Sequence, residues 1–414
     1  MSSSDSSQLV AHLFRHEAGR MVSVLAAMLG FDRIELAEDI VQDAMVQALR
    51  SWPFQGIPEN PSAWLYRVAK NKALDVVRRE KLFRQISGEW ASERQEEEMM
   101  ERFFFEDEIN DSQLRMLFAC CHPSLPFESQ VAMCLKILCG LSIREIANAF
   151  LTSEETITKR IYRAKEKIRA NEIRLEVPTG PQLPIRVNAV LKSIYLLFNE
   201  GYTSSHPDTL IRQDLCEEAM RLTLLLIQTP RTTTPSAHAL LALMCFQVAR
   251  FEARTDATGA IVLLKDQDRT QWNRALIAQG KRQLTASAAG NELSDYHLEA
   301  AIALQHCLAP TYEKTDWPTI LRYYDLLLDR KPGPIVALNR AVALAEVDGP
   351  MEALLAVLQI KGLETNQYYH AILGDLYTQL HQTDRARQHY DRALHLTTSG
   401  AEKQLLRKKI ETLL

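Results

Sequence analysis

Glycine and proline are scarce in this 414-residue chain, at 15 and 16 residues, and aromatic residues make up only 7% of it. That poverty argues against collagen, disorder and most all-β architectures, while the abundance of Ala, Leu, Glu, Arg and Gln favours long helices. The sequence predicts an all-α protein, long enough for two or three domains at roughly 150 residues each. Its seven cysteines are an odd, sparse set without the regular spacing of a disulfide-stapled secreted domain. No apolar run nears the ~18–20 residues of a membrane-spanning helix; the richest stretches, such as Leu222–Ile227, are short. Met1–Gln8 is Ser-rich and polar, unlike a signal peptide, so a reducing, cytoplasmic setting and no membrane role are expected. Nor is there much net charge, with 48 Lys and Arg against 52 Asp and Glu.

The charge is instead segregated along the chain. Residues 61–84 carry seven basic residues (Arg67, Lys70, Lys72, Arg78, Arg79, Lys81, Arg84) against Asp75 and Glu80. Residues 88–111 reverse the sign, with ten acidic residues facing only Arg94 and Arg102, and read as a solvated linker. From Lys136 to Ala170 eight basic residues again outnumber four acidic ones. Two basic modules on an acidic tether suit a polyanion gripped at two places, since each phosphate neutralised releases counterions and adds affinity. Ordinary solvated helix faces are the plainer alternative.

The second basic module has a recognisable shape. Leu141, Ile143, Ile146, Ala147 and Phe150 form a helical stripe, with Ser142 as N-cap and Glu145 three residues on. Ser153 is placed to cap a second helix running to Arg169, whose Ile157, Ile161, Ala164 and Ile168 recur at core spacing. Helix, tight turn and long basic helix make a helix-turn-helix pattern. The other face carries Thr158, Lys159, Tyr162, Arg163 and Lys167, a mixture suited to major-groove edges and phosphates.

In the first module, Leu36, Ile40, Ala44, Ala48 and Leu49 share one helix face, and Glu35, Asp39, Gln42 and Asp43 form an outward acidic stripe. A loop with Pro53, Gly56, Pro58 and Pro61 follows, and Ser62 is placed to cap a helix ending near Arg79 that interleaves Trp64 and Tyr66 with cations. Aromatic rings beside cations suit single-stranded bases, although Trp64 also fits a core role.

Taken in order, AEDIVQDA, then NPSAWLYRVAKNKALDVVRRE, then the acidic linker, then GLSIREIANAFLTSEETITKRIYRAKEKIR resemble the two-domain core of bacterial extracytoplasmic-function (ECF) sigma factors over about residues 9–170. The resemblance implies a sigma region 2 (σ2) over residues 9–85, an acidic linker over 86–112 and a helix-turn-helix region 4 (σ4) over 113–174. It implies that Asp39, Gln42 and Asp43 meet the β′ clamp helices of core RNA polymerase. Trp64, Arg67, Asn71, Asp75, Arg78 and Arg79 would serve the −10 element of promoter DNA. Ser153, Thr156, Thr158, Lys159, Arg160, Arg163 and Lys167 would serve the −35 element, with σ4 also touching the β flap. Typical members carry a Gly-Thr-Val-Lys-Ser-Arg-like run where this chain has Glu155–Arg160, so a carboxylate replaces glycine at the helix start.

Cys120, Cys121 and His122, with Cys134 and Cys139 downstream, invite a zinc reading, but adjacent cysteines chelate one tetrahedral ion poorly and the spacing is not paired. Buried thiols are expected, with no metal and no cofactor. Pro178, Gly180, Pro181 and Pro184 then mark a boundary, and residues 185–414 read as successive amphipathic helices. Leu373, Gly374, Tyr377, Ala386, Tyr390 and Ala393 fit the tetratricopeptide (TPR) consensus, and Ala341, Leu344, Ala353 and Val357 precede four of these by 33 residues each. A TPR-like solenoid over residues 318–414 follows, its concave face either taking a protein or peptide or packing on the sigma core. The resemblance extends here, to the ECF subgroup with a C-terminal TPR-like extension. Glu200 with Asp266, Asp268 and Arg269 superficially suggests a hydrolase, but no nucleophile elbow, phosphate loop or HExxH accompanies them, and ion pairs and helix caps are the better reading. The expectation is a sigma factor rather than an enzyme. The alternative is a stand-alone helix-turn-helix regulator with a peptide-sensing TPR domain.

Overall fold

The structure is a computed structural model that describes residues 3–85, 106–150, 152–203 and 211–413. Among these residues every regular element is a helix, apart from one isolated bridge between Thr255 and Ile261. No described helix is long and apolar enough to cross a membrane. The chain divides into two compact units, Met1–Glu200 with Glu217–Leu226, and Gly201–Cys216 with Ile227–Leu414. Packing therefore does not follow the proline-marked boundary at 178–184: the first helix beyond it lies almost wholly in the N-terminal unit.

The N-terminal unit begins with α1 (Ser3–Leu29), α2 (Ile34–Gln55) and α3 (Pro61–Gln85). In α2, Ile34, Ala37, Ile40, Val41, Ala44, Met45, Ala48 and Trp52 are buried at helical spacing. Of the expected stripe Ile40, Ala44 and Ala48 are buried, while Leu49 is exposed and Leu36 half-buried. Pro53 does not end this helix, which continues to Gln55. At the start of α3 the cap is Asn60, whose Oδ1 accepts from the Ala63 N–H at 2.9 Å, while the expected cap Ser62 instead gives its hydroxyl to Glu17 at 3.2 Å.

Most of the expected acidic linker, residues 86–105, lies outside the described residues. Its last part is no linker: α4 (Glu106–Cys120) starts there, with Ile109, Ser112 and Gln113 buried, and packs on α1. Next come α5 (Phe127–Ile137), α6 (Ile143–Ala149) and α7 (Glu154–Ala170). Gly19 of α1 lets the loop after α5 approach; a Cβ there would collide with the Leu138 carbonyl. That contact offsets the conformational cost of a glycine inside a helix, about 1 kcal/mol. Cys120, Cys121, Cys134 and Cys139 are all buried, with Cys121 Sγ 3.5 Å from Cys134 Sγ. Burial pushes the Cys121 and Cys139 thiols well up, so they behave as packing groups.

The remaining helices are α8 (Gln182–Tyr202), α9 (Gln213–Gln228), α10 (Pro235–Val248), α11 (Arg274–Ser287), α12 (Asp295–Leu308), α13 (Trp317–Arg330) and α14 (Pro334–Val347). The chain closes with α15 (Pro350–Leu358), α16 (Gln367–Gln379), α17 (Thr383–Leu396) and α18 (Gly400–Glu411). Within the C-terminal unit α10 is buried along most of its length, and α11 and α12 pack against it. From α12 onward each helix packs on the next. The 33-spaced residues Ala341, Leu344, Ala353 and Val357 share one core with Leu373, Tyr377, Ala386, Tyr390 and Ala393. Gly374 lies so close to the Tyr390 ring that a Cβ would overlap it.

Candidate nucleic-acid interface

The helix-turn-helix forms as the sequence predicts. Ser142 accepts from the Glu145 N–H at 3.2 Å, and the Glu145 carboxylate accepts from the Ser142 N–H at 2.7 Å, a reciprocal capping box that opens α6. Ser153 caps α7 by accepting from the Thr156 N–H at 3.2 Å. Ile157, Ile161, Ala164 and Ile168 are buried, which turns Thr158, Lys159, Tyr162, Arg163 and Lys167 to solvent. Thr158 donates its hydroxyl to the Glu154 carbonyl at 2.8 Å, Lys159 pairs with Glu155 at 2.6 Å, and Lys167 reaches the Ser124 carbonyl at 3.1 Å. Arg160 is placed differently: it is half-buried, with its guanidinium 5.6 Å from the centre of the Phe150 ring, so it braces the turn between the two helices. Thr156 is half-buried as well, and Ser153 is exposed.

On α3, Arg67, Asn71, Asp75, Arg78 and Arg79 are exposed, and the first four recur at intervals of three or four, so they lie along one side of the helix with Arg79 next to it. Trp64 is half-buried against Trp52, ring centroids 5.5 Å apart and edge to face. Its position therefore serves both readings, since it packs on the core and keeps part of the ring accessible. A cleft of about 490 Å³ opens between α1 and the start of α3, lined by Glu17, Arg20, Asn60, Ser62, Tyr66, Arg67 and Lys70 among others. Glu17 organises its floor, accepting from Ser62 at 3.2 Å and from the Tyr66 hydroxyl at 3.1 Å, with Arg20 3.6 Å away. Polar donors beside exposed cations can hold an unstacked base and its phosphate. Glu17 and Arg20 escaped the sequence reading because they sit on α1, more than forty residues before the helix they serve.

The acidic side of α2 divides in two. Asp39, Gln42 and Asp43 are exposed, and Asp43 accepts from Lys72 Nζ of α3 at 2.9 Å. Glu35 and Glu38 instead face α7: Lys165 Nζ lies 2.6 Å from Glu38, and Arg169 pairs with Glu35 and donates to the Asp32 carbonyl at 3.3 Å. The helix-turn-helix is thereby joined to the first module by its last turns, and the exposed side of α7 stays open.

The hydrolase reading finds no support in the local chemistry. Asp268 accepts from the Thr270 N–H and hydroxyl at 2.9 and 2.7 Å, and Arg269 is spent on the carbonyls of His306 and Ala309 at 2.5 and 2.8 Å. Among the described residues no group of three or more His, Cys, Asp or Glu is arranged to hold a metal ion.

Comparison with known proteins places these features. The model for sigma-70 region 2 matches residues 13–83 and that for sigma-70 region 4 matches residues 115–168. A family of unknown function, DUF6596, matches residues 186–288. The uncharacterized protein R00370 of Rhizobium meliloti (strain 1021) is 38% identical over 391 residues, which is 92% of this chain and 91% of its own. The ECF RNA polymerase sigma factor SigW of Bacillus subtilis (strain 168) is 27% identical over 146 residues, 34% of this chain and 77% of its own. No solved structure matches.

Proposed function

We propose, because the chain belongs to the sigma-70 family and is related over nearly its whole length to the Rhizobium meliloti protein, that it is an initiation factor of the ECF type with a regulatory C-terminal extension. Regions 2 and 4 make it a transcription factor for RNA polymerase and promoter DNA. The finer reading gives each surface a task. Asp39, Gln42 and Asp43 dock on the β′ clamp helices. The exposed row of α3, from Arg67 to Arg79, with the Trp64 edge and the Glu17 cleft, captures the opened −10 strand. The open side of α7, with Thr158, Lys159, Arg163 and Lys167, enters the −35 major groove while region 4 meets the β flap. The C-terminal helices act as a TPR-like interaction domain, and the protein works in the cytoplasm.

One observation carries this reading: two separate surfaces of nucleic-acid chemistry share a unit with an exposed acidic face. A regulator that binds duplex DNA alone needs the α7 surface but has no use for the Asp39 face. Co-purification of the full chain with core polymerase tests the point. Asp39→Lys with Asp43→Lys is expected to weaken core binding at least tenfold while leaving the melting curve close to that of the wild type, because an exposed ion pair such as Asp43–Lys72 contributes about 0–1 kcal/mol. Unchanged core binding by the double variant contradicts the assignment of this face.

A further inference from the structure

Within the C-terminal unit, helices α12, α13, α14, α16 and α17 border a cleft of about 540 Å³. Its body is apolar and aromatic, with Ile320, Tyr324, Val342 and Leu376 among the walls. The carboxylates on its margin have hydrogen-bond partners, and Asp375 also has a cation beside it. Glu346 accepts from the Tyr312 hydroxyl at 2.9 Å, and Asp375 accepts from the Tyr390 hydroxyl at 2.6 Å and from Lys409 Nζ at 2.5 Å.

Two polar atoms of the lining are not matched. Trp317 Nε1 and His306 Nδ1 are buried and have no hydrogen-bond partner. Trp317 is 9% exposed, and its indole packs edge to face with His306 and Tyr312 at 5.3 and 5.1 Å. An indole N–H can only donate. Left unmet in a buried place, such a donor is costly, so the cleft favours a ligand that brings an acceptor.

The surrounding charges specify which acceptor. Arg250 and Arg269 act on His306 and, after burial itself, are what push its imidazole down to about 3, so no imidazolium forms there at neutral pH. Arg269 spends its donors on main-chain carbonyls and stacks 4.8 Å from the Trp272 ring; Arg250 bonds the Tyr202 hydroxyl at 2.6 Å. Neither guanidinium is neutralised by a carboxylate through any of these contacts. Lys265 adds a further cation at the exposed rim. The cleft thus holds a spare donor at Trp317, with the cations Arg250 and Arg269 acting on the neighbouring His306.

We propose that this cleft binds a small amphipathic carboxylic acid, with its apolar body between Ile320, Tyr324, Val342 and Leu376 and its carboxylate accepting from Trp317 Nε1 in the field of Arg250 and Arg269. The volume suits an organic molecule of drug-like size. An acidic peptide offers the same carboxylate chemistry from a different source, and a direct comparison separates the two.

The test is calorimetric titration of the full-length protein with 4-phenylbutyrate, its uncharged amide, and an acidic hexapeptide ending in phenylalanine. Saturable binding of the acid, at least fivefold weaker binding of the amide and no competition by the peptide are expected. Val342→Trp fills the mouth from a position already 38% exposed and is expected to abolish binding with an unchanged melting curve. Trp317→Phe keeps the ring, loses the donor and is expected to weaken the acid about tenfold while leaving the amide unchanged. The proposal is overturned by no saturable binding up to about 10 mM, by equal binding of acid and amide, by binding that survives both substitutions, or by a peptide that displaces the acid. None of these readouts involves polymerase, so failure here and failure of the sigma-factor reading are separable.

Discussion

Lys165 Nζ lies 2.6 Å from Glu38 Oε2, with the two side chains only 14% and 16% exposed. This pair ties the second helix of the helix-turn-helix, α7, to α2, the helix that carries the exposed Asp39 and Asp43, and Arg169–Glu35 repeats the link one turn later. Leaving one partner of a buried pair behind costs about 3–5 kcal/mol, and somewhat less when the site is partly wet. Lys165→Glu is therefore expected to destabilise the N-terminal unit by about 1–3 kcal/mol, and adding Glu38→Lys to recover at least half of that. Urea melts of the two single variants and the double variant measure the coupling. Additive losses would mean that the pair does not hold the regions together.

The proposed promoter contact by region 4 has its own signature. Lys159→Ala and Arg163→Ala alter exposed cations on the open side of α7. Each is expected to lower the slope of log affinity against log salt by about one unit in promoter-fragment binding, and to weaken binding several-fold at physiological salt. Arg160→Ala, in contrast, removes a brace on Phe150 and is expected to reduce stability more than it changes the salt slope. A reversed order between Arg160 and Arg163 contradicts the assignment of the two residues.

In the C-terminal unit, Gly374→Ala sets a Cβ into the ring of Tyr390. The helix-propensity gain of about 1 kcal/mol is opposed by an overpacking cost of about 1–3 kcal/mol. Net loss is expected, read as a lower melting temperature, and Tyr390→Leu in the same chain is expected to relieve the clash. A Gly374→Ala variant more stable than wild type shows that the helices α16 and α17 are not held this closely.

The half-buried His306 makes a pH prediction. Burial first, then the charges of Arg250 and Arg269, hold its folded imidazole down to about 3, whereas the unfolded chain titrates near 6.5. Between these values the unfolded state binds a proton that the folded state refuses, so stability is full above about pH 7 and is lost as the pH falls from about 6.5 toward 3. The steepest contribution of one such group is about 1.4 kcal/mol per pH unit. His122 and His389 are also held low, by burial first, and act in the same direction. The measured quantity is thus the difference between wild type and His306→Gln at about pH 7.5 and about pH 5.5. A smaller acid loss in the variant is expected; equal loss in both contradicts the burial argument.

Much of this was legible in the residues because it is local. The Ser142–Glu145 capping box, the Ser153 cap and the 157, 161, 164, 168 stripe are decided within one or two turns, and they form as read. The 33-residue spacing likewise announced a shared core. What failed depended on distant partners. Ser62 looks like a cap, but Glu17 of α1 claims its hydroxyl and Asn60 takes the cap. Glu106–Asp111 look like tether because they are acidic, yet Ile109 packs against α1 and makes them helix. Glu35 belongs to the acidic stripe by spacing, and it is a residue 134 positions away, Arg169, that pairs with it.

Run-off transcription from a genomic template library, with purified core polymerase in the presence and absence of the full-length protein, tests the sigma-factor reading most directly. Transcripts beginning at a defined position that depends on the protein, and that disappear with Asp39→Lys and Asp43→Lys, are the expected result. A protein that leaves start sites unchanged, or that never associates with core polymerase, contradicts it.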